Sequence, residues 1–538
     1  MPEYLTPGVY IEEIEIGAKP IEGVSTSTAG FIGMAERGPT VPKLVTGFEQ
    51  FQRLYGGYIE DSYLAYAVDG FFKNGGQRCF IGRVVRSGAT VASGTVSPIT
   101  FETVGEGDWG LGVAVRIENA SLDPSTIPAT PTKTDLFKLT VAYWKDGLPD
   151  VTAPTDPDSD PDSPAPIDQE ELVKKVRTLL ASADVLEVYD NLSTESTSGD
   201  YYLSKLGPKG ISNLVQLTST VTGRPANNTD PLFIGLTGEN DSGVLTRAEF
   251  LGDPVAASGD RRGLTAFTEI DEISIVYVPD LHYLDGSNET QLIDDIVSHC
   301  ENMTDRFAIL ETSQSTKSVG SLWPPKDSKY AAYYHPWIEV FDPLKKGAKL
   351  VPPGGCIAGI YARSDQERGV HKAPANEVIR GANGVEFEIT KGEQGILNPR
   401  GVNCIRAFPG RGIRVWGART TSSDSLWKYI NVRRLFLFLE ESIEESTQWV
   451  VFEPNNEKLW ARVRQTINQF LTRVWKDGAL MGTTPEEAFF VKCDRTTMAQ
   501  DDLDNGRLIV IIGVAPAKPA EFVIFRIAQW AGGSAATE

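Results

Sequence analysis

Short apolar strands alternate with helices in two separate parts of this 538-residue chain. In residues 231–363, apolar runs at residues 273–278 and 307–311 flank a helical stretch at residues 291–302. This order favours a parallel or mixed sheet, because a helix must carry the chain back between parallel strands. Residues 25–87 show the same alternation and predict a second α/β unit. The remaining predicted elements of the two parts are strands 29–34, 79–85 and 232–236 and helices 48–55 and 63–72.

The segment between these two parts, residues 88–230, has a different composition. Serine, threonine, glycine and proline increase there, and the apolar runs are short, at residues 113–118 and 136–143. Residues 150–166, DVTAPTDPDSDPDSPAP, are acidic and rich in proline. Such a stretch buries too little apolar surface to order itself. We therefore predict that residues 88–230 form a β-rich, variable insertion on the outer surface, with a mobile loop at residues 150–166.

Residues 364–515 predict a further domain with two helices, at residues 427–440 and 456–477, and a strand at residues 506–513. Asn455 or Asn456 can cap the second helix, and Gly478 can end it. Apolar side chains recur along this helix at helical spacing and make one apolar face. They are Leu459, Trp460, Val463, Ile467, Leu471, Val474 and Trp475.

Both ends of the chain, residues 1–24 and 516–538, predict extended arms. Each contains one β-prone run, at residues 9–16 and 520–530. Thr6-Pro7-Gly8 marks a turn before the first run, and Pro516 and Pro519 detach the second run from the preceding strand. A terminal strand either pairs with its own domain or adds to the edge of a neighbour's sheet. The sequence leaves both arrangements open. The fold class we predict is a multidomain α/β (α+β) protein of about three domains, with mixed sheet, β-rich insertion and extended terminal strands.

Composition argues against several classes of partner. The formal charge is −21, and binding to phosphate requires clustered lysine and arginine, so we expect no nucleic acid partner. The apolar runs are too short for a membrane helix, and the first residues lack the features of a signal peptide, so we expect no membrane insertion. The five cysteines are widely spaced without a CxxC pair, which favours buried thiols over disulfides or zinc ligands.

Charge also differs between the N-terminal arm and a later segment. One interpretation is that the acidic arm is attracted to the basic segment of a neighbouring subunit, and that this attraction fixes the register in which the two subunits meet. The alternative is solvated charge without a partner. The arm holds Glu3, Glu12, Glu13, Glu15 and Glu22 against Lys19. The basic segment holds Arg400, Arg406, Arg411, Arg414, Arg419, Lys428, Arg433 and Arg434 against Asp424.

Catalytic motifs are missing from the sequence. It contains neither GxxxxGK[ST] nor GxSxG, and PGRGIRVWG at residues 409–417 lacks the third glycine of a dinucleotide site. The four histidines stand far apart and match no metal-binding spacing. Asp280, Leu281 and His282 form the nearest approach to an enzyme-like cluster at the end of a strand. We therefore predict no catalytic residue, no cofactor and no metal site.

Several segments resemble contractile tail sheath proteins. The most specific are PPGGCIAGIYARSDQERGVHKAPANEVIRG at residues 352–381 and LNPRGVNCIRAFPGRGIRVWGARTTSSDSLWKYINVRRLFLFLEESI at residues 397–443. TPGVYIEEI and STAGFIGMAERGP, within residues 6–35, are similar to the sheath N-terminal pattern, and residues 455–513 match moderately. Residues 88–230 carry no signature of the family. Type VI secretion systems divide the sheath between two chains, whereas this chain carries both ends, which favours phage-tail or extracellular-injection types.

The resemblance implies a structural role. Six subunits form a ring, rings stack around an inner tube, and contraction drives the tube forward without a nucleotide. The implied partners are further copies of the chain, the inner tube protein, and baseplate and tail-terminator proteins. The implied location is a phage tail or tail-like particle assembled in the bacterial cytoplasm and in some systems released from it. The alternatives are another structural component of such a particle, namely a baseplate or terminator protein, and an α/β enzyme with a β-rich insertion.

The resemblance also assigns roles to particular residues. In sheath proteins the C-terminal domain lies innermost, and both terminal arms link neighbouring subunits. The arm residues it implies are Val9, Tyr10, Ile11, Ile14, Ile16, Phe522, Ile524, Phe525, Ile527 and Trp530. On the polar face of helix 456–477, the candidates for contact with the inner tube are Lys458, Arg462, Gln469, Arg473 and Lys476. The alternative for this face is plain exposure to solvent.

Overall fold

The computed structural model describes residues 20–122, 136–154, 169–208, 210–220 and 223–526. Most of the predicted loop at residues 150–166 and of the predicted N-terminal arm therefore lies outside the described residues. The strands are β1 Ala29–Met34, β2 Lys43–Val45, β3 Cys79–Val84, β4 Ser93–Val96, β5 Ile99–Thr103, β6 Val113–Asn119, β7 Leu136–Tyr143, β8 Val185–Ser193, β9 Val215–Leu217, β10 Ile234–Gly235, β11 Ile275–Tyr277, β12 Phe307–Glu311, β13 Ala331–His335, β14 Ile338–Asp342, β15 Gly347–Val351, β16 Ala382–Val385, β17 Val402–Phe408, β18 Gly412–Trp416, β19 Phe489–Lys492 and β20 Ile511–Val514.

Helices and strands are mixed along the whole described chain, as the predicted fold class requires. The α-helices are α1 Phe48–Tyr55, α2 Leu64–Lys73, α3 Gln169–Ser182, α4 Tyr202–Leu206, α5 Arg247–Leu251, α6 Gly263–Ala266, α7 Gly286–Met303, α8 Gly354–Arg368, α9 Lys391–Leu397, α10 Ile430–Ser446, α11 Glu457–Lys476, α12 Pro485–Ala488 and α13 Gln500–Asp504.

An eight-stranded mixed sheet organises the molecule, in the order β18-β17-β13-β12-β11-β1-β3-β2. The six strands from β17 to β3 run parallel, and β18 and β2 pair antiparallel at the two edges. Ala29 is aligned with Cys79 on one side and with Ile275 on the other. The inner strands β13, β12, β11, β1 and β3 are almost fully buried, because helices cover a parallel sheet on both faces.

The predicted insertion leaves the sheet after β3 and returns to it before β11. The chain enters and leaves the insertion at neighbouring points, where the Ser87 N–H donates to the Val244 carbonyl oxygen at 3.0 Å. Strand β10 pairs antiparallel with β6, so it belongs to the insertion. Residues 232–236 were expected to open the second α/β part, and the insertion instead extends to about residue 244. It has its own apolar core, built on β5, β6, β7 and β9.

The division expected at residue 364 also differs from the structure. Strands β17 and β18 come after that position, yet they extend the central sheet, because β17 pairs parallel with β13 and β18 closes the edge. A separate apolar cluster forms further along the chain, from α10, α11, β19 and residues near them. Ile21 belongs to this cluster, so the start of the described chain packs against its C-terminal part.

Two predicted elements begin elsewhere than expected. Helix α10 starts at Ile430 instead of residue 427, because Tyr429 pairs with Arg419 and the Thr420 N–H donates to the Lys428 carbonyl oxygen at 3.0 Å. Strand β20 starts at Ile511 instead of residue 506, because residues 500–506 form helix α13 and a turn. The first change follows from a local pairing before the helix and the second from a short local helix, and apolar periodicity encodes neither of them.

Candidate assembly interface

Helix α11 presents the polar face that the sequence predicted for the inner tube. The Asn456 side chain caps it by accepting from the Lys458 and Leu459 N–H groups, and Gly478 follows its end with φ +82°. Its apolar face is buried in the C-terminal cluster. The opposite face is exposed and carries the five predicted residues, Lys458, Arg462, Gln469, Arg473 and Lys476.

Two of these five side chains make contacts within the subunit. The Arg462 guanidinium lies over the Trp449 ring at 4.5 Å, and the Arg473 guanidinium donates to the Ile21 carbonyl oxygen. Among the described residues, no ion pair involves Lys458, Arg462 or Lys476, and Gln469 carries no charge. Lys458, Arg462 and Lys476 therefore present positive charge that the subunit itself does not neutralise.

The N-terminal segment is held beside this helix. Pro20 and Ile21 line a groove along α11 together with Gln469, Arg473 and Lys476. The Val24 N–H donates to Ser442 Oγ at 3.1 Å. The described chain thus begins at Pro20, at the edge of the candidate tube-facing surface.

A buried ion pair secures the next part of this segment. The Arg434 guanidinium binds both carboxylate oxygens of Asp365, at 2.8 and 2.6 Å, and donates to the Thr26 carbonyl oxygen at 2.8 Å. The Thr26 hydroxyl donates to the same carboxylate at 2.6 Å. Arg434 and Asp365 are almost fully buried, so both charges depend on each other and on Thr26.

The C-terminal segment is fixed to the subunit up to Glu521. The Ala517 N–H donates to the Ala479 carbonyl oxygen at 3.0 Å. The Glu521 carboxylate then accepts from the Arg419 guanidinium in bidentate geometry, at 2.8 and 2.7 Å. Sequence reasoning missed this pair. Its only local signal is a single glutamate placed between Pro519 and a run of apolar residues.

Beyond Glu521 the segment leaves the protein surface. The side chains of Phe522, Val523, Ile524 and Phe525 are between 68% and 83% exposed. Residues 520–526 form no strand within the described chain, although the sequence is β-prone. The structure thus places Phe522, Ile524 and Phe525 in the solvent. The other predicted arm residues, Val9, Tyr10, Ile11, Ile14, Ile16, Ile527 and Trp530, lie outside the described residues.

A small sheet lies close to both terminal segments. Strands β19 and β20 pair antiparallel, with Phe489 aligned to Val514, and they form a sheet of two strands. Phe490 and Ile511 are about half exposed on it. A two-stranded sheet is marginally stable by itself, and each strand has one edge without a ladder partner in the described chain.

The predicted basic segment is largely used within the subunit. Arg419, Arg433 and Arg434 are buried and pair with Glu521, Glu440 and Asp365. Arg400 stacks on Trp323 and donates to three backbone carbonyl oxygens of residues 319–322. These four of the eight basic residues are therefore held within the subunit, three of them by acidic side chains that folding brings onto the segment.

The strand-end cluster at Asp280 lies where the parallel sheet reverses its winding, between β1 and β11. In doubly wound sheets ligands bind at this point, outside the carboxyl ends of the strands. Here the fully buried Asp280 carboxylate accepts from the Met34 N–H, the Ser62 hydroxyl and the Tyr63 N–H, at 2.7, 2.7 and 2.6 Å. These contacts tie three segments together, so the side chain is committed to the fold.

Three further features concern metal ligands, membrane helices and cysteines. The described residues hold no group of three or more histidine, cysteine, aspartate or glutamate residues that could bind a metal ion. Across the same part of the chain, every helix is too short or too polar to cross a bilayer. All five cysteines are buried free thiols, as their spacing predicted.

Two family models match the chain. One describes the central domain of phage tail sheath proteins and matches residues 258–421. The other describes the C-terminal domain of phage tail sheath proteins and matches residues 422–529. Together they cover about half of the chain, including the central sheet after the insertion, α10, α11 and the C-terminal segment.

Individual tail sheath proteins are also similar to this chain. The tail sheath protein of Vibrio phage KVP40 is 29% identical over 187 residues, which are 34% of this chain and 27% of that protein. The putative prophage major tail sheath protein of Pseudomonas aeruginosa strain UCBPP-PA14 is 25% identical over 286 residues, 51% of this chain and 72% of that one. The matched part is thus a small share of the first relative and most of the second.

A solved structure extends the similarity to the whole fold. The helical sheath of the anti-feeding prophage in its contracted state aligns with a TM-score of 0.55 and 23% identity. The alignment covers 98% of this chain and 99% of that one. At this identity the comparison establishes the shared fold.

Proposed function

The chain belongs to the contractile tail sheath protein family, and we propose that it polymerises as stacked rings of six subunits around an inner tube and contracts to drive the tube through a target envelope. A structural subunit of a sheath works through its contacts with other subunits. The observation that carries the proposal is the C-terminal segment, which is fixed at Glu521 and then exposes Phe522, Val523, Ile524 and Phe525.

An exposed apolar segment of this kind favours association. Burial of each large apolar side chain contributes about 1.5–3 kcal/mol, and a strand must also pair its backbone groups. We infer that Phe522, Ile524, Phe525, Ile527 and Trp530 add as a strand to a neighbouring subunit. The N-terminal residues Val9, Tyr10, Ile11, Ile14 and Ile16 do the same from the other end of the chain.

The sheet of β19 and β20 is the acceptor that the geometry favours. It has two strands only, and one edge of each is free of ladder partners in the described chain. Its half-exposed Phe490 and Ile511 offer apolar contacts to an added strand. Strand addition at these edges supplies backbone hydrogen bonds, while side chains on alternate positions set the register.

The polar face of α11 faces the inner tube in this arrangement. Its free charges at Lys458, Arg462 and Lys476 suit a polar contact with a tube surface of negative charge. Exposed ion pairs contribute about 0–1 kcal/mol each, so such a contact guides assembly without holding the tube fast. A weak contact is required, because the tube must move relative to the sheath.

Contraction needs no nucleotide in this proposal. Improved burial between subunits contributes roughly 25 cal/mol per Å² of apolar area, and the sum over many subunits supplies the work. The sheath is a heterologous, open helical assembly, in which the same contacts repeat without closing. Its other partners are baseplate and tail-terminator proteins. The particle assembles in the bacterial cytoplasm as part of a phage tail or a tail-like machine.

Electron microscopy of the native assembly tests the proposal directly. Negative staining is expected to show cross-striated tubes in a long and a short form, with six-fold symmetry in end-on views. The long form should enclose a thinner tube, and the short form should leave it protruding. A native particle that is a closed oligomer of fixed size would overturn the proposal.

A further inference from the structure

We propose that Glu521 anchors the C-terminal arm, and that helix α10 joins this anchor to the root of the N-terminal arm, so that load on one arm passes to the other through a single helix. This inference rests on the proposed sheath function. It adds a role for Glu521, Arg419 and α10, which connects the two arms within the subunit.

The Glu521 carboxylate lies in a site built from several segments. Arg419 binds both of its oxygens, the Asn398 amide donates to Oε1 at 2.7 Å, and the Tyr429 hydroxyl donates to Oε2 at 3.0 Å. Lys428 Nζ lies 3.8 Å from Oε2. Arg419 also donates to the Asn398 carbonyl oxygen at 3.0 Å, and this bond holds the guanidinium in the orientation in which it binds the carboxylate.

This geometry is stronger than that of an ordinary surface ion pair. The side chains of Arg419 and Glu521 are 8% and 18% exposed. Bidentate, charge-assisted hydrogen bonds are shorter and stronger than neutral ones. Burial alone would raise the pKa of the Glu521 carboxyl, but hydrogen bonds from Arg419 and Asn398 outweigh it and hold the pKa below its ordinary value. The carboxylate is therefore ionised and bound at neutral pH.

The position of this contact along the chain makes it the first point at which a force on the C-terminal arm reaches the subunit. Glu521 is the last residue of the described chain whose side chain binds its own subunit, since Phe522 through Phe525 are exposed and Arg526 follows them in the solvent. Any pull on the C-terminal arm therefore reaches Glu521 first. Without this anchor, the pull would act on the four-residue strand β20 and on its single partner β19.

Helix α10 connects this anchor to the N-terminal root. Tyr429 precedes the helix and holds Glu521, and the Asn431 amide donates to the Ala517 carbonyl oxygen at 3.2 Å. About one turn after Asn431, the Arg434 guanidinium donates to the Thr26 carbonyl oxygen, and about two turns further along the helix Ser442 accepts from the Val24 N–H. At 1.5 Å per residue, these contacts span about 16 Å of one helix. The separation between the two arm roots is therefore set by a rigid element.

Hydrogen exchange on the purified full-length subunit tests the anchor before any assembly. E521Q keeps the shape of the side chain and removes its charge. We expect the Ala517 amide and the first turn of α10, residues 430–434, to exchange at least about tenfold faster than in the wild type. E453Q changes an exposed glutamate of the same region and should leave both unchanged. Unchanged exchange at Ala517 in E521Q would overturn the anchor, and unchanged exchange at residues 430–434 would overturn the link through α10.

A double-mutant cycle separates direct pairing from a general loss of structure. If Glu521 acts through Arg419, exchange at Ala517 in the E521Q/R419Q variant should match that of the more affected single variant. Additive effects would contradict the assignment. Exchange is measured on separate subunits, so it does not depend on assembly. If the anchor is intact but the protein forms no tubes, the sheath function is rejected and the anchor stands. Tubes that form normally from E521Q subunits would reject the mechanical role.

Discussion

Asp280 shows how a side chain that looks catalytic in the sequence serves the fold. It is fully buried, and three donors from β1, Ser62 and Tyr63 converge on its carboxylate. Burial raises the pKa of Asp280 to about 6, although these hydrogen bonds oppose the shift. The side chain thus joins the end of β1 to the start of α2 at the point where the sheet reverses its winding.

Replacement of this carboxylate should therefore reduce stability. D280N replaces one carboxylate oxygen by an amide NH2 group, which meets either the Met34 N–H or the Tyr63 N–H, so we expect a loss of about 1–3 kcal/mol in the free energy of unfolding. Urea denaturation followed by circular dichroism measures the change. D61N, which alters an exposed aspartate near the same loop, should stay close to the wild type. Equal stability of both variants would show that the three contacts at Asp280 contribute nothing.

His282 predicts a dependence of stability on pH. Its ring lies between Glu289 and Glu311, with Nδ1 and Nε2 each 3.0 Å from a carboxylate oxygen. Burial disfavours the charged imidazolium, but the hydrogen bonds and charges of the two carboxylates outweigh it and raise the pKa of His282 to about 9. A raised pKa means that protonated His282 stabilises the folded state fully below pH ~6.5, and this contribution is lost as pH rises through about 9.

We expect the free energy of unfolding to fall by up to about 3 kcal/mol between pH 6.5 and 9.5 from this residue. H282Q lacks the titrating group and should show a smaller fall over the same range. Denaturant titrations at several pH values on both proteins measure the difference. Parallel pH profiles for the two proteins would contradict the assignment of the charge to His282.

At the scale of elements, the glycines of α8 explain part of the family-like motif at residues 352–381. A Cβ on Gly355 would lie 2.3 Å from the Ala67 carbonyl oxygen, and one on Gly359 would lie 2.4 Å from that of Phe71. Both partners are backbone atoms of α2, which cannot move aside. The glycines therefore allow α2 and α8 to pack with their backbones in close approach.

G355A should destabilise the protein by about 1–3 kcal/mol, because the added methyl group forces the two helices apart. Gly395 in α9 is the matched control, since a Cβ there meets nothing within 4 Å. G395A should stabilise the protein by about 0.5–1 kcal/mol through its better helix propensity. Urea denaturation of the two variants measures both effects. Changes of the same sign would refute the packing argument.

The polar face of α11 predicts how the sheath meets its tube. K458E/R462E/K476E reverses three exposed charges and leaves Arg473 with its contact to Ile21. We expect copurification of the tube protein with the assembled sheath to fall at least about tenfold at low salt, because each lost ion pair is replaced by a repulsion. K174E on the exposed side of α3 in the insertion should have no effect. Wild-type recovery of the tube with the triple variant would show that another surface binds it.

At the scale of the whole molecule, the exposed run after Glu521 is separable from the folded core. The central sheet, the insertion and the C-terminal cluster each have apolar cores, and the exposed run after Glu521 contributes to none of them. Deletion of this run should therefore leave folding intact. In the proposed sheath, the apolar side chains of this run are covered by another copy of the chain.

Deletion of residues 522–538 should abolish polymerisation while the thermal unfolding midpoint shifts by no more than about 2 °C. Deletion of residues 1–17 should have the same effect from the other end. Sedimentation velocity distinguishes separate subunits from polymers. Deletion of residues 155–166, in the acidic segment of the insertion, is the control and should preserve polymers. Normal polymers without either arm would favour a baseplate or terminator role.

The sequence by itself determined the local elements and the family. Strand Ala29–Met34 and helix Phe48–Tyr55 have the predicted bounds, and α11 begins and ends within one residue of its prediction. These elements were predictable because burial on one face or along a short strand leaves a periodic pattern in neighbouring residues. Caps such as Asn456 are local as well, since a cap and the groups it binds are at most three residues apart.

Only the tertiary structure decided which elements share a sheet and which charges are free. The addition of β17 and β18 to the central sheet, the return of the insertion near residue 244, and the pair between Arg419 and Glu521 all join residues far apart in the chain. Local periodicity carries no information about such partners. The same physics buried Arg419 and Arg434 of the basic segment in ion pairs, because their partners Glu521 and Asp365 come from other parts of the chain.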